Sequence, residues 1–402
     1  MQCPHFDAGE CRSCALMGVP YGVQLADKDA AVRARLAEAT DGRTRWEAPA
    51  ASAESGFRNK AKLVVTGTAA APRLGILDPR QHPRHHDGRG VDLRDCGLYE
   101  DGMEAAFHAI AGAVTAAGLE PYDVAARTGE LKNVIVTRSP DRELMVRFVL
   151  RSADRLEALR PEVPALREAL AALGTPAAVV TANLHPEHVA LPEGPEEVHL
   201  AGDATLRMEL NGIGLRLRPQ GFFQTNTGIT RRLYATAAAW LAEAAAEAGT
   251  PVERAWDLYC GVGGFAFHLA RPVAEGGAGI AEAWGLEVSA EAIEAAREAA
   301  AELGVAERVR FTAGDATTAL AAPDGTRPDA VVVNPPRRGI GAELAGRLEE
   351  SGVPFVLYSS CNAATLATDL TAMPSYRVAR AQVFDMFPQT GHAETLVLLT
   401  RR

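Results

Sequence analysis

From residue 255 onward the chain repeats one unit, a short apolar strand followed by a helical stretch, and that rhythm leaves few folds open. Strands are expected at Ala255–Tyr259, Trp284–Val288, Arg308–Thr312, Asp329–Val333 and Phe355–Tyr358, with Ser289 capping a helix that ends at Gly304. The last two strands, Tyr376–Asp385 and Glu394–Thr400, are joined by a loop without a helix, so they should pair antiparallel. Five alternating units closed by a hairpin make an α/β doubly wound sheet with one reversed strand. Sheets of this kind bind ligands beyond the carboxyl ends of their strands. The residues that follow each strand are therefore the candidates for chemistry.

After the first strand, Gly261-Val262-Gly263-Gly264 opens a helix. Any nucleotide-type ligand suits such a turn. The third glycine of the dinucleotide fingerprint is missing, and the closing hairpin is typical of S-adenosylmethionine folds. Glu287, ending the second strand, is placed to take a ribose hydroxyl pair, and Asp315, after the third, to meet an adenine amino group. Either carboxylate taken alone is as readily a cap or turn residue. The fourth strand ends in Asn334-Pro335-Pro336-Arg337-Arg338. This turn is similar to the Asn-Pro-Pro-Tyr of enzymes that methylate exocyclic amines, but Arg337 stands where the aromatic ring would stack.

The fifth strand runs into Ser359-Ser360-Cys361-Asn362. A cysteine there suits covalent catalysis at a pyrimidine carbon. C5 of uracil is too weak a nucleophile to take a methyl group unaided. Thiolate addition at C6 turns the ring into an enolate, and a base must then remove the C5 proton so that the thiolate can leave. In S-adenosylmethionine folds of this kind the reversed last strand lies beside the fifth, which would bring Glu394 next to Cys361. The plainer alternatives are a buried free cysteine and a surface carboxylate, although Cys260 makes the better core cysteine. Arg337 or Arg338 is the candidate for ionising the thiol, with phosphate binding as the competing role.

The first half of the chain carries four of the six cysteines, Cys3, Cys11, Cys14 and Cys96, in loop-rich surroundings. Their C-x2-C pair suits a metal or cluster site, and zinc and iron–sulfur both accept four thiolates. A redox pair and small buried hydrophobes are the alternatives. Arg58, Lys60 and Lys62 alternate along a strand over Gly56–Val65, and His82, His85 and His86 lie in a loop expected to be solvated. Helices are expected over residues 25–40, Met103–Gly118 and Ala165–Leu173, with strands at Lys132–Thr137, Leu144–Leu150, Ala178–Leu184 and Glu197–Leu200. Without a βαβ rhythm these suggest an α+β middle domain. A long helix over Gly228–Ala248 leads into the doubly wound sheet. Three regions are expected: 1–100 with the cysteines and the basic strand, 101–217, and 218–402.

A formal charge of −10 argues against nucleic-acid binding by bulk electrostatics, but residues 56–99 form a locally basic stretch. No apolar run approaches the ~20 residues of a membrane span. The polar, cysteine-bearing start does not resemble a signal peptide. The expectation is a cytoplasmic monomer with no membrane partner.

Taken together, several motifs resemble the RNA uracil-C5-methyltransferase family, and in particular its iron–sulfur 23S rRNA branch. They are Met1-Gln2-Cys3, Cys11-Arg12-Ser13-Cys14, Gly56-Phe57-Arg58-Asn59-Lys60-Ala61-Lys62, Arg218-Pro219-Gln220, Phe222-Phe223-Gln224-Thr225-Asn226, Trp256-Asp257-Leu258-Tyr259-Cys260-Gly261-Val262-Gly263-Gly264, Asn334-Pro335-Pro336-Arg337-Arg338-Gly339 and Tyr358-Ser359-Ser360-Cys361-Asn362. The resemblance covers essentially the whole chain. It implies a class-I, Rossmann-like S-adenosylmethionine-dependent methyltransferase sheet, with an N-terminal and central α+β part carrying a 4Fe–4S cluster on Cys3, Cys11, Cys14 and Cys96. It implies Cys361 as nucleophile and Glu394 as base, with cofactor contacts from Gln224, Tyr259, Glu287 and Asn334. The partner implied is 23S rRNA, with its target uridine flipped from a loop. Tyr259 stands where many relatives have Phe, and Asn334 where other branches have Asp. With no separate RNA-binding module ahead of Cys3, RNA contact is expected from the middle region and the basic segments. A 5-methyluridine enzyme for tRNA, or for a second 23S site, is the nearest alternative. RNA cytosine enzymes usually carry a Pro-Cys where Pro336-Arg337 stands here. A non-catalytic cluster protein would have no need of both Cys361 and Glu394.

Overall fold

The computed structural model describes residues 1–82, 86–189, 191–318 and 325–402, so His85 of the histidine loop lies outside the described residues. The chain divides into two compact units. Met1–Gly18, Ala53–Met208 and Arg218–Gln220 form the first; Val19–Ser52, Glu209–Leu217 and Gly221–Arg402 form the second.

The first unit is built on a seven-stranded sheet. From edge to edge its strands are Gly90–Asp92, Ala71–Leu77, Lys60–Thr68, Leu131–Arg138, Leu144–Leu150, Ala177–Leu184 and Glu196–Gly202. Neighbours are antiparallel except Leu144–Leu150 and Ala177–Leu184. Helices Met103–Ala116 and Val163–Ala172 bury Phe107, Ile110, Val114, Leu166 and Leu170 in one core with Leu63, Val65, Val134, Val146 and Phe148. Alternation then turns Lys62, Ile135, Arg147 and Thr181 to the other face as a cross-strand ladder. Arg147 is 1% exposed and forks onto Glu197 at 2.8 and 2.6 Å, with Glu193 at 2.5 Å. This is the expected α+β architecture, but the boundary near residue 100 does not separate two bodies. Lys60–Thr68 pairs directly with Leu131–Arg138, so residues on both sides of it share one sheet.

The second unit contains α1 (Tyr21–Arg35), β1 (Arg45–Trp46), α2 (Thr227–Ala248), β2 (Arg254–Leu258), α3 (Gly264–Ala270), β3 (Glu282–Glu287), α4 (Ala290–Glu302), β4 (Val309–Ala313), β5 (Ala330–Val333), α5 (Gly341–Ser351), β6 (Phe355–Ser360), α6 (Ala363–Thr371), β7 (Tyr376–Phe384) and β8 (Glu394–Arg401). The strand order is β1-β7-β8-β6-β5-β2-β3-β4. Strands β2 to β6 run parallel, and β8 is antiparallel to both β6 and β7, giving the doubly wound sheet with one reversed strand. Ser289 caps α4 by accepting the Ala292 N–H at 3.2 Å.

A second boundary also differs from expectation. Residues 19–52 belong to this unit and not to the cysteine-bearing one. Val32 and Leu36 enter the apolar core formed by Trp256, Val331, Val356 and Tyr376, and β1 adds a parallel edge strand to β7. Among the described residues no helix is long and apolar enough to cross a membrane.

Candidate active site

At the end of β2 the backbone turns sharply. Tyr259 takes φ +62°, and the chain passes through Gly261 at +54° and Gly263 at +86° before α3 begins. Glycine is needed at 263 for space as well as for φ. A Cβ there would meet Phe311 at 2.6 Å and Phe267 at 2.8 Å, so any side chain would push α3 off the sheet. At Gly261 a Cβ would meet nothing within 4 Å, which leaves that backbone open to a ligand. Glu287, half-buried at the end of β3, accepts the Ser289 N–H at 3.0 Å and the Gly261 N–H at 3.4 Å, so it borders the glycine turn. The exposed Asp315 accepts the Thr317 N–H at 2.9 Å, which holds its carboxyl below the usual range. Gln224 lies half-buried ahead of α2. An open glycine turn bordered by a carboxylate at the next strand end fits an adenosyl group carrying a ribose diol.

Asp257, on β2 just before this turn, was legible only as a motif letter. It is 1% exposed, accepts the Ala266 N–H at 3.0 Å to tie α3 to the sheet, and is pushed up to about 7 by burial. Cys260 is a core cysteine as expected, 7% exposed, with burial raising its thiol well above the ordinary value.

The second group of residues meets at the ends of β5, β6 and β8. Ser360 pairs with Thr395 across β6 and β8, which sets the head of β8 beside Cys361. Glu394 is 1% exposed. Its Oε1 accepts the Ser359 hydroxyl at 2.5 Å and the Asn334 amide at 3.2 Å, while that same amide donates to the Ser359 carbonyl at 3.2 Å. Burial pushes Glu394 up to about 7, against the downward pull of those two hydrogen bonds. Ser359 was read only as a residue following the fifth strand and as a motif letter; its hydroxyl turns out to be the shortest contact on the carboxylate.

Cys361 is half-buried at the entry to α6, whose cap is the side chain of Asn362 accepting the Ala364 N–H at 3.1 Å. Burial raises its thiol, the Glu394 charge raises it further, and Arg337 opposes both. Of the two arginines, Arg337 is thus the one whose charge acts on the thiol, while that of Arg338 acts on Tyr259 and Asp315. The turn itself is pinned: Asp369 accepts the Ile340 and Gly341 N–H groups at 2.9 and 3.2 Å and the Tyr358 hydroxyl at 2.7 Å. Arg337 Nη2 lies 3.4 Å from His392 Nδ1.

In the first unit, Cys14 is buried and Cys3, Cys11 and Cys96 are partly exposed. Burial pushes Cys14 up to about 11, with further upward pushes from Cys96, Cys11 and Cys3. The four thiols are therefore close enough for their charges to act on one another. His5 bridges Asp95 at 2.7 Å and Glu10 at 3.3 Å, tying the two cysteine loops together. Among the described residues, no three His, Cys, Asp or Glu side chains close up as they would around a single ion. Burial and the neighbouring charges of Lys62 and Arg147 lower Lys60 on the basic strand to about 8.

Residues 203–402 match the tRNA (Uracil-5-)-methyltransferase family. Over 403 residues, covering 100% of both chains, the sequence is 43% identical to the 23S rRNA (uracil(747)-C(5))-methyltransferase RlmC of Escherichia coli O139:H28. It is 42% identical to the protein of that name from Haemophilus influenzae, covering 100% of this chain and 99% of the relative. Among solved structures, the Pyrococcus abyssi tRNA (uracil-54, C5)-methyltransferase in complex with S-adenosyl-L-homocysteine shares the fold. It superposes with a TM-score of 0.76 at 21% identity, covering 96% of this chain and 85% of that one.

Proposed function

The chain belongs to the tRNA (uracil-5-)-methyltransferase family, and from that premise we propose that it makes 5-methyluridine in 23S rRNA through a covalent bond between Cys361 and C6 of the base. The observation that carries this reading is a carboxylate sealed beside a cysteine at the mouth of a methyltransferase sheet. Full-length relatives named for 23S rRNA favour that substrate over tRNA. Mass mapping of 5-methyluridine in rRNA from cells with and without the gene tests it. A 23S rRNA unchanged by the deletion, with a methyl group missing from tRNA, would overturn the substrate assignment.

The chemistry follows from the residues. Cys361 adds as thiolate to C6 of the flipped uridine, helped by Arg337 and by the N-terminus of α6. The electron pair moves to C5, which becomes the carbon that takes the methyl group. S-adenosylmethionine, when bound, supplies that methyl from its sulfonium. Glu394 then takes the C5 proton, and the electrons of that C–H bond re-form the C5–C6 double bond as the thiolate leaves. A carboxylate held near 7 is a stronger base than an ordinary one and keeps a substantial ionised fraction at neutral pH. Asn334 and Ser359 aim it.

Gln224, Tyr259, Gly261, Gly263, Glu287, Asn334 and Asp315 are assigned to the cofactor. Glu287→Ala is expected to weaken S-adenosylmethionine binding by about 1.5–3 kcal/mol, the value of a charge-assisted hydrogen bond. Unchanged affinity by calorimetry would place the ribose elsewhere.

Cys3, Cys11, Cys14 and Cys96 are assigned to a 4Fe–4S cluster. The charges of Cys96, Cys11 and Cys3 all act on Cys14, and a cubane takes one thiolate at each iron. Its role would be structural, closing the loop from residue 3 to residue 96. Anaerobically prepared protein should be brown, with about four irons and four sulfides per chain. Replacing any one of these cysteines by Ser should loosen the first unit, read by proteolysis, before the second. Colourless protein with stoichiometric zinc would reject the assignment. Arg58, Lys60 and Lys62 are the proposed RNA-facing charges.

A further inference from the structure

We propose that α1 is a strap for the catalytic base, with Lys28 and Gln24 as positioning residues that fix the loop from which Glu394 emerges. The inference rests on the reading of Glu394 as the base. Residues 385–393 connect the end of β7 to the head of β8, where Phe384 and Glu394 stand opposite each other in register. A connection of that length has many paths open to it, and two buried polar links select one. Lys28 Nζ donates to Asp385 Oδ1 at 2.6 Å and to the Phe387 carbonyl at 3.0 Å, with the two charged side chains 3% and 0% exposed. Four residues earlier on the helix, Gln24 and Gln389 exchange amide hydrogen bonds. Gln24 Nε2 donates to Gln389 Oε1 at 2.9 Å, and the Gln389 N–H donates to Gln24 Oε1 at 3.1 Å. Gln389 sits at φ +65°, a left-handed conformation unfavourable for a side-chain-bearing residue. The reciprocal amide pair holds it there.

Stability alone does not account for these contacts. Val32 and Leu36 already dock α1 on the sheet through apolar burial. A buried ion pair adds little net stability, because the desolvation of both charges offsets their attraction. What directional polar bonds supply is one register: Lys28 and Gln24 are both satisfied only when the loop follows this path. From other sides, the Asp385 N–H donates to the Ala50 carbonyl at 3.0 Å and the Asn226 amide to the Met386 carbonyl at 3.4 Å. Beyond Gln389, Thr390 Oγ1 donates to the Phe387 carbonyl at 2.8 Å and accepts the His392 N–H at 3.3 Å, and the exposed His392 ring lies 3.4 Å from Arg337 Nη2. Among the described residues, the α1 links are thus the last buried hydrogen bonds from the loop to the rest of the unit before Glu394. Loosening them lets water reach a carboxylate whose basicity depends on burial.

The test uses the full chain in single-turnover reactions on a 23S rRNA transcript, following decay of the methylated protein–RNA adduct. Lys28→Met and Gln24→Leu should each slow elimination by about 10- to 100-fold, the effect of a small misplacement of a catalytic group, with RNA affinity unchanged. The pH midpoint of elimination should move down from near 7 toward the ordinary 4.5, because the carboxylate becomes hydrated. Gln24→Leu leaves the ion pair intact and covers the case in which Lys28→Met does not fold. Lys28→Met/Asp385→Leu removes both buried charges; it should restore stability without restoring the elimination rate, as a merely structural role would not predict. Wild-type elimination with an unmoved midpoint in these variants would overturn the strap, as would a defect confined to RNA or cofactor binding. Glu394→Gln, measured alongside, separates the two readings. If it eliminates normally, the base assignment has failed; if it stalls while the α1 variants do not, only the strap has failed.

Discussion

Glu394→Gln should accumulate a methylated protein–RNA adduct that survives denaturing electrophoresis, whereas Cys361→Ala should form no adduct and no product. The two substitutions cut the reaction at different bonds. Without the thiol, C5 never becomes nucleophilic and methylation ends before it starts. Without the carboxylate, addition and methyl transfer still proceed, but the C5 proton stays and elimination has no electron pair to expel the sulfur. Gln fits the site because Ser359 and Asn334 both donate to Oε1, the atom its amide carbonyl would replace. Loss of turnover by about 10³-fold or more is expected for each, in keeping with removal of a nucleophile or base. A 5-fluorouridine substrate should trap the wild-type protein at the same stage, since fluorine cannot leave as a proton. Normal turnover by Glu394→Gln, or an adduct from Cys361→Ala, would reverse the roles.

The second large effect is one of pH. Elimination needs Glu394 ionised, so its rate should fall about tenfold per pH unit once the pH drops below about 7. The same burial acts on stability with a definite sign. The folded value, about 7, lies above the ordinary 4.5, so folding favours the protonated carboxyl. The stability it contributes is fully present below 4.5 and is lost as the pH rises through 7. Glu394→Gln should therefore be more stable than wild type by about 2–4 kcal/mol at pH 8, with the advantage shrinking toward pH 5. All four tryptophans, at 46, 240, 256 and 284, lie in the second unit, so their fluorescence in urea reports the unfolding that matters. An equal difference at both pH values would mean the carboxyl is not held buried and ionisable.

Much of this site was legible because its parts are local. Strand ends announce themselves by apolar runs that stop, and a hairpin without a helix forces a reversed strand. Together with the strand order of class-I methyltransferase sheets, those two facts bring Glu394 beside Cys361. Contacts between distant segments were not legible. Residues 25–40 read as an amphipathic helix, which the structure places at Tyr21–Arg35, yet nothing in the pattern said which sheet it covers. Its polar partners lie more than 350 positions later, Asp385 and Gln389 in the loop between β7 and β8. Lys60 read as one of a row of strand cations with solvent as the default. Its partial burial beside Arg147 follows from a register that only strand pairing reveals. Arg147 did carry a signal, a lone charge in an apolar strand, but its partners Glu193 and Glu197 lie in a later connection and strand. Asp257 left none. A carboxylate in Trp-Asp-Leu-Tyr looks like any other, and only the arrival of α3 above it shuts out water.

The excursion of residues 19–52 has a consequence for how such an enzyme can be taken apart. The ribosome makes the edge strand β1 and the helix α1 long before it makes the sheet they complete. Until the last residues emerge, Val32 and Leu36 have no core to enter, and β7 in turn has no neighbour on its outer side without Arg45 and Trp46. A catalytic fragment cut at residue 218 would leave with that edge bare and an apolar patch uncovered, the two features that make a sheet recruit its own copies. Chimeras between relatives therefore have to exchange residues 19–52 together with the carboxyl-terminal half, as one inherited piece written in two places along the gene.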